Sequence, residues 1–345
     1  MKKRILITLL ISLLALSFLV PAAQAAEKKV FKWKHQCDFA VGDYQLMNCT
    51  YAFAKTLKKR TNGRIDLKVY TQGQLVSPKE SMEALSKGLF QVRTSAAAYL
   101  RGKIPWADVE FGMPFAYRNM VDWNRCWFRY GMLDYLRRNY AKRWKVEYIC
   151  PSPFTGGALL STKPVRSLAD LKGMKVRCVG TPARTWSLVG VSPIMMSSKE
   201  LYTALSTGVA EGVMYSSMTI ETMKLYEVAK YYLMPAIPNL MGGHMLVNRK
   251  AWKSLPCDLQ KIFLEVAWQH SHCSINVPEE WDKKWPEKAK KYGITITHLP
   301  EADVAKIRAA CKKVWDGVDK SGPLAKEALD IVRATQKGEG YYSGL

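Results

Sequence analysis

Residues 167–215 read SLADLKGMKVRCVGTPARTWSLVGVSPIMMSSKELYTALSTGVAEGVMY, and their rhythm decides the fold. A turn and short helix precede a strand at 174–179, in which Arg177 stands among Met174, Val176, Cys178 and Val179. A Gly-Thr-Pro turn, a helix, a strand at 192–196, a further helix and a strand ending at Tyr215 complete a βαβ pattern. Such alternation builds α/β layers, and their ligands sit beyond the carboxyl ends of the strands. A guanidinium in a buried strand must meet an anion, because an unpaired buried charge is very costly. The residues leave two partners open: an internal carboxylate such as Asp170 or Glu200, or a ligand carboxylate held by two parallel hydrogen bonds.

Outward from this stretch, residues 1–25 carry three basic residues, an apolar run over 5–20 and an Ala23-Gln24-Ala25 processing pattern. That is a secretory signal cleaved near Ala25, which places the mature chain in the periplasm. Its removal lowers the net charge from +23 to +20. Export and the scatter of lysines among acids argue against nucleic acid, and the basic surface reads as a field for small anions. Eight cysteines allow 105 pairings, none legible. Cys257 and Cys273 are excluded as a pair, since about 24 Å of helix would separate them.

Helices are expected at 43–61, 78–87, 121–140, 258–292, 300–319 and 324–334. Strands are expected at 30–36, 65–69, 90–94, 146–149, 231–234 and 245–247. The proline- and glycine-rich segments 151–157 and 235–243 read as two crossings between lobes. The chain therefore divides into 26–154 plus 241–280 as lobe I and 155–240 plus 281–345 as lobe II, with one long helix, containing Pro286, spanning both. No GxSxG, HExxH, P-loop or GxGxxG occurs. His270 and His272 point to different sides of a helix, so no metal site is expected. No cofactor is expected either.

The segment Leu168-Ala169-Asp170-Leu171-Lys172-Gly173-Met174-Lys175-Val176-Arg177, followed by Glu200-Leu201-Tyr202-Thr203-Ala204-Leu205 and Gly208-Val209-Ala210-Glu211-Gly212, resembles the solute receptors of TRAP (tripartite ATP-independent periplasmic) transporters. Gly73-Gln74-Leu75, Met113-Pro114-Phe115 and Tyr226-Glu227-Val228-Ala229-Lys230 extend the match over nearly the whole mature chain. The resemblance implies a two-lobed periplasmic binding protein fold that closes on a small organic anion, carboxylate or sulfonate. It implies a monomer that serves small and large membrane subunits driven by an ion gradient, and not an enzyme. A receptor feeding a sensor and a periplasmic hydrolase are the alternatives.

Arg177 falls on the family's carboxylate-binding arginine. The remaining expected site positions are Phe154, Gly157, Tyr215, Cys37, Ala96 and Ser198. Gly157 stands where sialic-acid-type receptors carry a second arginine, Tyr215 where they carry asparagine, Ser198 for a helix-start aromatic and Ala96 for an acidic contact. Fewer polar anchors and a tyrosine wall point to a smaller or less hydroxylated anion than a sugar acid. Arg184 is the candidate second cation.

Overall fold

A computed structural model describes residues 29–43, 49–154, 157–234 and 241–338. The expected leader and residues 235–240 of the second crossing lie outside them. The chain enters through β1 (Phe31–Cys37), β2 (Ile65–Tyr70), β3 (Val92–Ala96) and β4 (Val146–Pro151). It continues through β5 (Ala158–Ser161), β6 (Lys175–Arg177), β7 (Ser192–Ile194), β8 (Gly212–Tyr215) and β9 (Tyr231–Met234). It then returns through β10 (Gly243–Asn248) and ends its strands at β11 (Thr295–His298). Two sheets result, ordered β2-β1-β3-β10-β4 and β11-β9-β5-β8-β6-β7.

Each sheet carries its own lobe. Phe31, Trp33, Ile65 and Leu67 pack with Phe53 and Leu57 of helix Tyr51–Arg60, and with Leu259 and Phe263 of the long helix Cys257–Lys291. The same long helix later buries Trp285 and Ala289 against Leu160, Val213 and Tyr232 of the second sheet. A 35-residue helix is about 50 Å long, enough to serve both cores. The described ends of the two crossings meet: Phe154 and Met241 form an antiparallel bridge, with hydrogen bonds of 2.9 and 3.1 Å.

Several elements differ from expectation. The 121–140 helix is broken: helix Met120–Asn124 passes into a π-helical turn, Arg125–Arg129, and a new helix, Met132–Trp144, starts after Gly131 at φ 93°. The wide turn turns Trp123 and Trp127 inward together, stacked at 4.0 Å. Regular helix begins at Ser81, not Pro78, although Glu80 does accept from the Ser77 amide in the expected capping box. The 174–179 strand pairs only over Lys175–Arg177, because the next helix, Gly180–Leu188, follows at once.

The C-terminal helix, Pro323–Lys337, buries Ala325, Leu329 and Val332 among Trp123, Trp127 and Leu136 of the first lobe. The lobe division expected from the sequence places it in lobe II. A strongly amphipathic terminal helix goes wherever an apolar face awaits it, which its own pattern does not specify.

Candidate functional site

Parallel pairing of β6 with both β7 and β8 brings their carboxyl ends to one edge, and Arg177 is the last residue of β6. Its side chain is buried, 3 % exposed. Nε and Nη2 both donate to the Met196 carbonyl at 3.3 Å, and the guanidinium lies 5.3 Å from the centre of the Tyr215 ring. Among the described residues no carboxylate lies within ion-pair distance of it. The two internal candidates are engaged elsewhere: Asp170 accepts from the Arg166 and Ser167 amides, and Glu200 from the Ser197 amide.

A second buried arginine provides an internal comparison. Arg93 of β3 is wholly enclosed, and Asp38 accepts from its Nε at 3.0 Å. Ser81 and Ser95 accept from it as well. His244 stands between Arg93 Nη1 and Glu110, whose Oε1 is 2.7 Å from His244 Nδ1. Burial holds the His244 pKa below its ordinary value, so the neutral ring can donate from Nδ1 to Glu110 and accept at Nε2 from Arg93. This protein thus satisfies one buried guanidinium from within and leaves the other facing a cavity.

That cavity, about 60 Å³, lies between the lobes. Five of the seven expected site residues line it: Arg177, Tyr215, Gly157, Phe154 and Ala96. Phe39 and Phe111 meet Phe154 edge-on at 6.1 and 6.2 Å, and with Met214, Met241, Val179 and Pro182 they make the wall mostly apolar. Sequence reasoning missed Asp43 and Tyr99, the polar lining from the first lobe. Tyr215 donates its hydroxyl to Asp43 Oδ2 at 2.6 Å, joining β8 to the loop after β1. Burial first, and then the Asp43 charge, push the Tyr215 pKa well above its usual value, so it remains a neutral donor.

Gly157 has a steric reason. A Cβ built there would fall 2.1 Å from the Tyr215 carbonyl carbon and oxygen, so no side chain fits while β5 and β8 stay paired. Cys37 and Ser198 do not line the cavity. Cys37 is buried behind the wall with its sulfur 3.4 Å from Thr50 Oγ1, and burial pushes its pKa to about 12. Ser198 and its neighbour Ser197 instead donate across the lobes to Gln72 Oε1, at 3.2 and 2.6 Å. Arg184 also stays outside, donating to Asp108 at 3.1 Å. With Tyr215–Asp43 and the Thr181 hydroxyl on the Gly112 carbonyl, these contacts describe a closed receptor.

Residues 43–321 match the family model for bacterial extracellular solute-binding protein, family 7. The chain belongs to this family. A C4-dicarboxylate-binding periplasmic protein of Rhodobacter capsulatus is 24% identical over 94% of this chain and 96% of its own length. A monocarboxylate 2-oxoacid-binding periplasmic protein of Nostoc is 27% identical over 62% of this chain and 60% of its own. Among solved structures, a TRAP periplasmic solute-binding protein from Desulfovibrio salexigens with bound orotic acid superposes with a TM-score of 0.79 at 25% identity, covering 89% of this chain and 99% of that one. The expected two-lobed α/β receptor fold is therefore correct, and the family is one of extracytoplasmic solute receptors.

Proposed function

We propose that this member is a monomeric periplasmic receptor that captures a small organic monocarboxylate on Arg177 and presents the closed, loaded form to TRAP membrane subunits. One observation carries the reading: Arg177 is buried at the cavity with a backbone carbonyl and a tyrosine ring for company, whereas buried Arg93 has its own aspartate. A carboxylate accepting from the planar fork supplies the missing charge. Two further features narrow the ligand class. The cavity has room for only a few water-sized groups, so the acid is compact. The described lining offers one cation and one carboxylate, Asp43, so a second ligand carboxylate would meet like charge. Apolar walls favour a planar or short aliphatic body.

A thermal-shift panel of pyruvate, butyrate, pyroglutamate, orotate, succinate and 2-aminoethanesulfonate tests the class, because a ligand in excess raises the melting point by mass action. Monocarboxylates should outrank succinate. Calorimetry with the best acid should then show Arg177→Ala weakened about 100-fold or more, the scale for breaking a buried charge pair. Arg177→Lys should be impaired too, since an ammonium cannot reproduce the fork. Wild-type affinity in Arg177→Ala would remove the anchor.

A further inference from the structure

We infer that Cys49 and Cys273 form a disulfide in the exported protein, pinning the chain ahead of the first helix to the middle of the lobe-spanning helix. Their sulfurs lie 3.8 Å apart, although 224 positions separate them in sequence. Bond formation requires closure of the sulfurs from 3.8 to about 2.05 Å. Cys49 lies two residues ahead of helix Tyr51–Arg60, and Cys273 lies midway along Cys257–Lys291. With Met218 and Trp281 they make a small apolar cluster where both lobes meet the spanning helix.

Five of the other six thiols are buried, and the exposed Cys257 sits at the start of the long helix, about 24 Å along it from Cys273. Cys37, Cys126, Cys150 and Cys311 are buried against Thr50, Tyr117, the Ala267 carbonyl and Thr185. Burial raises their pKa values, to about 12 for Cys37 and about 11 for Cys126 and Cys311, which suppresses the reactive thiolate. Cys273 is half-buried and, together with Cys49, lines a surface cavity of about 100 Å³ between the two helices. An oxidant therefore has a route to Cys273, and Cys49 stands next to it.

The chemistry needs a disulfide-bearing oxidant of the kind an oxidising compartment supplies. The Cys273 thiolate attacks one oxidant sulfur, forming a mixed disulfide and releasing the other oxidant sulfur as a thiol. Cys49, deprotonated, then attacks Cys273 Sγ, forming the intramolecular bond and expelling the second oxidant thiol. The protein loses two protons and two electrons, and the oxidant disulfide becomes two thiols. The closed loop is long, and cross-links of long loops restrict the unfolded chain most.

The inference rests on export, and the test separates the two. Mature protein recovered from a periplasmic fraction should show six titratable thiols in denaturant out of eight. Non-reducing peptide mapping should find one cross-link, 49 to 273, and dithiothreitol should lower Tm by about 5–10 °C. Cys49→Ser/Cys273→Ser should lose that response to reductant. Fully reduced protein treated with oxidised glutathione tests the geometry regardless of location, and the same cross-link should form. Should the double variant fail to fold, the wild-type mapping decides. Eight free thiols after glutathione treatment, or a cross-link joining other cysteines, would overturn the inference.

Discussion

Tyr215→Phe removes one oxygen and leaves the ring that faces Arg177 in place. The lost group donates to Asp43 at 2.6 Å across the interlobe gap. In an open receptor both partners are hydrated, so this bond exists only when the lobes are shut, and its loss acts on the closing equilibrium. A hydrogen bond to a charged group contributes about 1.5–3 kcal/mol. At RT of about 0.59 kcal/mol this makes closing about 10- to 150-fold less favourable, and apparent affinity falls by the same factor if only the closed form holds ligand tightly. Calorimetry with the best acid of the panel measures it. Arg184→Ala is the calibrating partner: its pair with Asp108 is partly solvated, at 28 and 13 % exposure, and such pairs contribute at most about 1 kcal/mol, so affinity should drop no more than about fivefold. An affinity for Tyr215→Phe within twofold of wild type, or below the effect of Arg184→Ala, would refute the view of Tyr215 as the closing latch.

Acid should destabilise the fold well before carboxylates titrate. Burial, with the nearby His270 charge second, lowers His35 to about 3, and burial lowers His270 to about 4. The unfolded chain takes up protons below about 6.5 while the folded chain refuses them, so this stability is complete above 6.5 and drains away as pH falls toward 4 and 3. At pH 5 the two together cost about 4 kcal/mol relative to neutral pH, and urea midpoints that stay flat between pH 7.5 and 5 would contradict this. Gly157→Ala forces a methyl into the Tyr215 carbonyl, and overpacking of this kind costs about 1–3 kcal/mol. Its melting point should fall and its ligand affinity should weaken with the displaced Tyr215; an unaltered melting curve would show that the backbone yields freely.

What the sequence disclosed were features with a local signature. The βαβ rhythm of 167–215, the arginine among apolar neighbours and the length of the spanning helix all survive in the structure. Half of the site was not local. Asp43 reaches the cavity from the loop after β1 and Tyr99 from the short 3-10 helix Ala97–Leu100, both in the first lobe, and only closure against β8 gives them a role. Cys37 ends β1 near the site, yet its sulfur turns toward Thr50 behind the wall, a choice between the two faces of a strand end that periodicity leaves undecided. Gly157 read as the loss of an arginine; its cause is the Tyr215 backbone, 58 residues on in sequence but adjacent through the β5–β8 pairing.

The paired crossings constrain how such a molecule can move. Two separate strands would allow the lobes to twist and shear as well as open, but Phe154 and Met241 bond to each other in both directions and tie the crossings at that point. Helix Glu301–Asp319 adds a link: its Ile307 and Cys311 pack in the second lobe, and its Val314 and Val318 in the first. Movement is thereby reduced toward a single hinge angle. A transporter docking across both lobes could then distinguish cargo-bound from empty by one rigid dimension, without touching the ligand.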